Sequence, residues 1–473
     1  MQEKSAITRT IETAPGVYAP GHLGELTQIV DFVLVDAVLE ETRSRQKRLR
    51  LLPARVVVYF VLALALFEHC SYRTVWSKLT AGLGPLNLAV PAVSSLARAR
   101  RRLGAAPLRR LFETLAGPLA RPGTTGSFYR GLRTVAIDGT CLHAPDTEQI
   151  TWHYPKRIGD TIEFGYPLLR LLVIVECGTR ALLAACFGPE TSGELPYATR
   201  LLGCLDHTML LLADANFDAI DFLHDLTATG AQFLVRSSAR RNPIIQQRLP
   251  DGSYLATLNT AVYRAGVGYR LLPVRVIEAW ITVTLADGTT RREPWRLVTS
   301  LLDPEHYPAR ELVDLYHRRW QVETSYFSIK ATMLDGRVLR SRSIPGLEQE
   351  VYALLTAYQA LIRAADDAMS TRPDTAMERI SFTVLLEAAT DQVTLSAGLF
   401  PSATTSLVGA IGRAVLNALG PAEPRRRVKA RSRKNPTSKY GPNAGRHPQQ
   451  TQTYTLTVDI QIMENGLASR QPR

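Results

Sequence analysis

The sequence predicts an α/β protein: a mixed-sheet core carrying a β-strand insertion, with a helical domain before it and a helical region after it. Three observations carry this prediction. Apolar residues recur at helical spacing through much of residues 23–115. From Arg133 to Val235, short apolar runs rich in β-formers alternate with helical segments. A turn-rich, strand-rich stretch from about Arg240 to Leu302 then interrupts that alternation.

In the first region Ile29, Phe32, Val33, Val35, Val38 and Leu39 mark one helix, and Leu52-Pro53 opens a second apolar segment. Shorter helices follow over 72–79 and 94–103. The latter is expected to start on a Ser cap and to carry its arginines on an exposed side. A Gly/Pro/Thr-rich stretch, 117–126, ends this region. Next, 133–138 (RTVAID), 168–175 (LLRLLVIV) and 181–187 (ALLAACF) read as strands, with Gly178 turning between the last two. A helix over 194–205, a buried strand 209–213 (MLLLA), a helix over 218–227 and a strand 232–235 complete the order. Three strands followed by helix, strand, helix and strand give a meander joined to crossover units, hence a mixed sheet. Pro250-Asp251-Gly252 and Ala286-Asp287-Gly288 are the hairpin signals of the insertion. A helix after Pro308 returns the chain to the sheet, and further helices run to about Leu419. The expected divisions are therefore 1–125, helical and DNA-binding; 126–345, the core, with its insertion at about 240–302; 346–420, helical; and 421–473, a basic disordered tail.

Composition narrows the function. In 473 residues, 56 basic side chains against 43 acidic ones give a net charge of +13, which favours a polyanionic partner such as double-stranded DNA. Position sharpens this: Arg98, Arg100, Arg101, Arg102, Arg109 and Arg110 cluster, and 425–446 holds no acidic residue. The first cluster, Arg98 and Arg100 to Arg102 above all, is expected to lie on a phosphate backbone. Five cysteines without a CxxC pair speak against a disulfide framework or zinc ribbon. The longest apolar run, 56–67, is too short for a bilayer, and the N-terminus lacks the features of a secretion signal. A cytoplasmic protein with no membrane partner is expected.

Two aspartates follow buried runs: Asp138 is expected to end the first strand and Asp214 the fourth. Ligands of open α/β sheets gather at the carboxyl ends of strands, so neighbouring strands would bring these side chains together. Glu323, on a helix against the sheet, can supply a third carboxylate. Three such groups repel one another, and hard divalent cations, Mg²⁺ or Mn²⁺, relieve that repulsion. Two ions about 3.5–4 Å apart would hold the attacking and leaving oxygens of a phosphodiester in line.

Around Glu323 lies a polar stripe. Tyr316, Arg319, Glu323 and Lys330 sit at offsets of 0, 3, 7 and 14, which at α-helical pitch fall within roughly 60° of arc. Val313, Leu315, Trp320, Val322 and Ile329 take other sectors, leaving the stripe free to face an anion. His143 and His153 read as loop residues, because this chemistry takes oxygen donors.

Tyr316-His-Arg-Arg319-Trp-Gln-Val-Glu323-Thr-Ser-Tyr-Phe-Ser-Ile-Lys330 resembles, without a gap, the Tyr-Arg-Glu-Lys signature of DDE transposases of bacterial insertion-sequence family four. The contexts Asp138-Gly-Thr and Leu-Leu-Ala-Asp214 agree, and the likeness covers most of the chain. One departure is Ala-Asn-Phe after Asp214, where many relatives have Arg-Gly and an aromatic. The resemblance implies a ribonuclease H-like core and two metal ions on Asp138, Asp214 and Glu323. It also implies that Tyr316, Arg319 and Lys330 grip DNA near the transposon end. A cut-and-paste transposase acting as a homodimer on paired ends and a target follows from it. Some relatives stack a flipped base on an insertion aromatic; Trp280 and Trp295 are the residues to consider, though both read more readily as core. The competing readings are a metal-dependent nuclease that never joins DNA and a non-catalytic DNA-binding derivative.

Overall fold

The computed structural model describes residues 21–46, 52–83, 88, 90–158, 163–238, 241, 243–259, 270–285, 288–396, 408–421, 427–428 and 453–463. The basic cluster 425–446, apart from Arg427–Val428, and the Ala286-Asp287 part of the second hairpin signal lie outside them.

Among the described residues five α-helices precede the sheet: α1 (Phe32–Glu41), α2 (Ala54–Leu66), α3 (Tyr72–Ala81), α4 (Val93–Leu103) and α5 (Ala106–Leu115). Helix α2 is apolar on every side except at Arg55, and is accordingly the buried centre of the group. Arg55 forks onto the Asp36 carboxylate of α1, and the Tyr59 hydroxyl donates to the Val30 carbonyl at 2.7 Å. Helix α4 starts on Ala92 without a side-chain cap, so the expected Ser cap is not used.

The meander consists of β1 (Leu132–His143), β2 (Leu168–Glu176) and β3 (Leu182–Pro189), antiparallel in sequence. Helix α6 (Leu195–Leu201) leads to β4 (Met209–Ala213), which pairs parallel with β1, and α7 (Ile220–Ala228) leads to β5 (Gln232–Arg236), parallel to β4. The insertion supplies β6 (Tyr254–Asn259), β7 (Leu271–Leu285) and β8 (Thr290–Thr299). Helices α8 (Ala309–Tyr316) and α9 (Trp320–Phe327) return to the sheet; α10 (Ile344–Met369), α11 (Phe382–Thr394) and α12 (Ala410–Asn417) follow. The fold is thus the mixed α/β, ribonuclease H-like core with a helical N-terminal region that the sequence predicts.

The last described strand, β9 (Thr453–Ile462), corrects the expectation of a structureless tail: it pairs antiparallel with β7 and, on its other side, with the two-residue strand Arg427–Val428, so that the sheet runs from that strand through β9-β7-β8-β5-β4-β1-β2-β3. Its sequence, TYTLTVDIQI, alternates with period two, which suits a strand laid on a sheet edge.

One face of the sheet shares a continuous apolar core with α1 to α5 and α10, while α6 and α7 cover the other. Helix α10 ties these parts together through Gln359, whose amide accepts from Leu182 N–H at 2.8 Å and donates to the Leu115 carbonyl at 3.2 Å. All five cysteines are free thiols. Among the described residues no helix is long and apolar enough to cross a membrane.

Candidate active site

The parallel ladder between β1 and β4 runs from Arg133 opposite Met209 to Ala136 opposite Leu212 and stops there. Asp138 and Asp214 each lie two residues further on, so both share the side of the pleat that carries Ala136 and Leu212. Asp138 does not end its strand. Strand β1 continues to His143 because its other neighbour, β2, pairs with it throughout, Asp138 lying opposite Val173.

Two tyrosines seat the Glu323 segment on these strands. The Tyr316 hydroxyl donates to the Ala213 carbonyl at 3.0 Å, one residue before Asp214. The Tyr326 hydroxyl donates to the carbonyl of Asp138 itself at 2.6 Å and accepts from Val173 N–H at 3.1 Å. Sequence reasoning does not single out Tyr326; its place one turn after Glu323 is the signal that could find it.

The segment is not one uniform α-helix. A 3₁₀ turn, His317–Arg319, separates α8 from α9, and a π turn, Ser328–Met333, follows α9. The assumption of one pitch therefore fails, and the stripe does not face outward as a unit. Tyr316 is only 4% exposed, its ring meeting the edge of Trp295 at 5.4 Å, so it is not the free hydroxyl expected. Arg319 is also buried, whereas Glu323 is 37% exposed. The Lys330 ammonium donates to the Thr140 hydroxyl at 3.0 Å, two residues along β1 from Asp138.

Arg319 stands between two of the three carboxylates. Its Nη2 donates to Glu323 Oε1 at 2.9 Å, and its Nη1 lies 3.7 Å from Asp138 Oδ2. Asp138 Oδ1 accepts from Gly139 N–H at 2.8 Å, and Asp214 Oδ1 accepts from Asn216 N–H at 2.9 Å, capping the turn Ala215–Phe217. Burial pushes the Asp138 pKa up to about 7; the charges of Asp214 and Glu323 add to this and Arg319 opposes it.

The three carboxylates thus act on one another, as a divalent cation site requires of its hard oxygen donors. Among the described residues, however, no three acidic, imidazole or thiol groups stand close enough to hold an ion in the conformation seen. The cation present at this position is the Arg319 guanidinium. The donor chemistry, three carboxylates, fits a hard divalent ion.

Of the arginine cluster, Arg98, Arg101 and Arg102 are exposed on α4. Arg100 is a correction: its side chain is 7% exposed and points inward. It donates to Gln349 Oε1 at 2.6 Å, the Tyr72 hydroxyl at 2.6 Å, Ser341 Oγ at 2.5 Å and the Gly346 carbonyl at 3.0 Å, beside Glu350 at 3.5 Å. A guanidinium so enclosed is not available to a phosphate. Trp295 is nearly buried, with Arg236 over its ring at 5.0 Å, and Arg292 covers Trp280 at 4.5 Å. His143 ends β1 and His153 ends a short helix, so neither is a loop residue; their ring neighbours are Tyr166 and Tyr154.

Comparison with known proteins gives the family. Residues 20–113 match the family described as insertion element 4 transposase N-terminal, and residues 129–360 match the transposase DDE domain. The transposase InsG for insertion sequence element IS4 of Escherichia coli (strain K12) is 28% identical over 345 residues, covering 70% of this chain and 75% of that protein. The putative transposase InsZ of the same organism is 28% identical over 148 residues, 31% of this chain and 50% of that protein. Two adjoining family matches that divide where the helical region meets the sheet lead, with this relative, to one conclusion: the chain belongs to the insertion-element-4 family of DDE transposases.

Proposed function

We propose that this transposase binds the two ends of its own insertion sequence as a homodimer, cuts them free, and joins them to a target by transesterification. The observation that carries the reading is that Arg319 joins Asp138 to Glu323, while Asp214 follows the strand paired with that of Asp138, near enough for its charge to act on it.

Asp138, Asp214 and Glu323 would hold Mg²⁺ or Mn²⁺, two ions per site, which when bound supply Lewis acidity at the scissile phosphate. Tyr326 anchors the Asp138 backbone, and the Asp138 and Asp214 carboxylates are oriented by the Gly139 and Asn216 N–H groups, so both keep their direction while DNA enters. Glu323 is the mobile member, more exposed than the aspartate beside Arg319 and held by that guanidinium. Once Glu323 turns away, Arg319 offers a planar fork to a phosphate oxygen. Lys330, beside Thr140, adds a point charge along the same strand. Arg98, Arg101 and Arg102 on α4 bind the backbone of the flanking duplex.

The test uses DNA carrying the element's terminal sequences, the full-length protein, Mg²⁺ and a plasmid target. Cleaved ends and joined product are expected, both absent with EDTA. Cleavage without joined product would make the chain a nuclease, and end binding without cleavage a DNA-binding derivative.

A further inference from the structure

We propose that Glu194 is a positioning residue that fixes the separation of Asp138 and Asp214 from the back of the sheet. The proposal rests on the reading of those aspartates as metal ligands.

Backbone pairing leaves this separation undetermined. The β1/β4 ladder ends at Ala136 opposite Leu212, so no main-chain bond of that ladder spans the two residues that carry the aspartates. On the front, Tyr326 holds Asp138 and Tyr316 holds Ala213, each to the α8–α9 segment. On the back, one side chain joins β2 to the turn after β4 and lies against β1.

Glu194 stands immediately before α6 with its carboxylate turned to the sheet, 18% exposed. Its Oε1 accepts from Arg170 Nη1 of β2 at 2.7 Å, and its Oε2 accepts from Asn216 Nδ2 in the turn that Asp214 caps, at 3.2 Å. The third strand contributes an absence: a Cβ on Gly139 would lie 2.6 Å from Glu194 Oε1. Only glycine at the position after Asp138 lets the carboxylate lie against β1 there. Arg170 is itself held by Glu190 at 3.1 Å, so the bridge has a fixed abutment. The charge of Asp214 is felt at Glu194, whose pKa is raised by burial and then by that neighbour, while Arg170 opposes.

The arrangement predicts which changes matter. Glu194→Ala removes the bridge. Asn216→Ala cuts only its β4 end, from an exposed turn, leaving Arg170 and the core intact. Glu194→Gln preserves it, because the amide oxygen still accepts from Arg170 and a flipped Asn216 amide meets the new NH₂.

Calorimetric titration of the full chain with Mn²⁺ alone tests this, with Asp138→Asn as the control and thermal unfolding recorded for each protein. Support for a metal orienter would be binding weakened about 10- to 100-fold in Glu194→Ala and Asn216→Ala, with Glu194→Gln near the wild type. Loss of Mn²⁺ binding in Asp138→Asn alongside wild-type binding in folded Asn216→Ala would overturn the role of Glu194 and leave the metal site standing. Wild-type binding in Asp138→Asn would instead overturn the metal site, and the role of Glu194 with it.

Discussion

The hydroxyl of Tyr326 donates to the backbone carbonyl of Asp138 at 2.6 Å, joining the helix that carries Glu323 to the strand that carries Asp138. It also accepts the Val173 N–H, so one oxygen closes two buried main-chain groups. Tyr326→Phe removes a hydroxyl shared by a buried ladder pair whose two main-chain groups still face each other, and a loss of about 0.5–1.5 kcal/mol is expected. Urea denaturation measures it. Cleavage should fall while affinity for DNA ends persists, because the surface arginines are untouched.

Arg100 belongs to the interior and not to the DNA. Arg100→Met takes the cation from beside Glu350 and the donor from buried Gln349 and Ser341, so a loss of about 3–5 kcal/mol is expected. The salt dependence of DNA binding by the folded fraction should be unchanged. In Arg98→Ala/Arg101→Ala the reverse is expected: unchanged stability, and a salt slope reduced by about one for each phosphate no longer neutralised. Gel shifts from low to high salt separate the two cases.

His22 gives the N-terminal region a pH-sensitive joint. It is fully buried, its Nε2 donating to the Leu79 carbonyl at 2.6 Å while Nδ1 accepts from Gly24 N–H at 3.2 Å. Both ring nitrogens are satisfied in the neutral form, and burial lowers the pKa from 6.5 to about 4. Between those values the unfolded chain takes up a proton that the folded chain refuses. The contribution is therefore complete above pH 6.5 and lost as pH falls towards 4, by at most about 3 kcal/mol. Denaturation midpoints between about pH 7.5 and about pH 5 should fall more steeply in the wild type than in His22→Gln.

Strand β9 covers the edge of β7, and its Ile460 carbonyl accepts from Arg310 Nη1 at 2.9 Å at the start of α8. A chain ending at residue 452 uncovers that edge. A lower unfolding midpoint and self-association, seen as rising light scattering, are expected, since a bare strand edge is a template for pairing.

Much of the core is legible in the sequence because burial writes itself into composition: MLLLA is the strand Met209–Ala213, and Asp214 follows it as expected. The β1 boundary is not, because the residues after Asp138 are polar or small and stay in the strand through pairing with β2, a non-local cause. The burial of Tyr316 is hidden because offsets convert to angles only at constant pitch, and this segment changes pitch twice. The inward place of Arg100 is readable: Leu96, Ala99, Arg100 and Leu103 form the buried stripe of α4, although a run of arginines shows its charge more plainly than its phase. The period-two pattern of β9 is equally present, masked by the basic stretch before it. The Arg319–Glu323 pair is legible as an i,i+4 spacing, but the reach of Arg319 to Asp138 has no sequence signature, since it depends on how a helix lies on a sheet.

The most direct measurement is the anomalous difference map of Mn²⁺-soaked crystals of the full-length protein. Density bounded by the carboxylates of Asp138, Asp214 and Glu323, with the Glu323 side chain turned away from Arg319, is the predicted result. Mn²⁺ bound elsewhere, with Arg319 still bridging Asp138 and Glu323, would contradict the account.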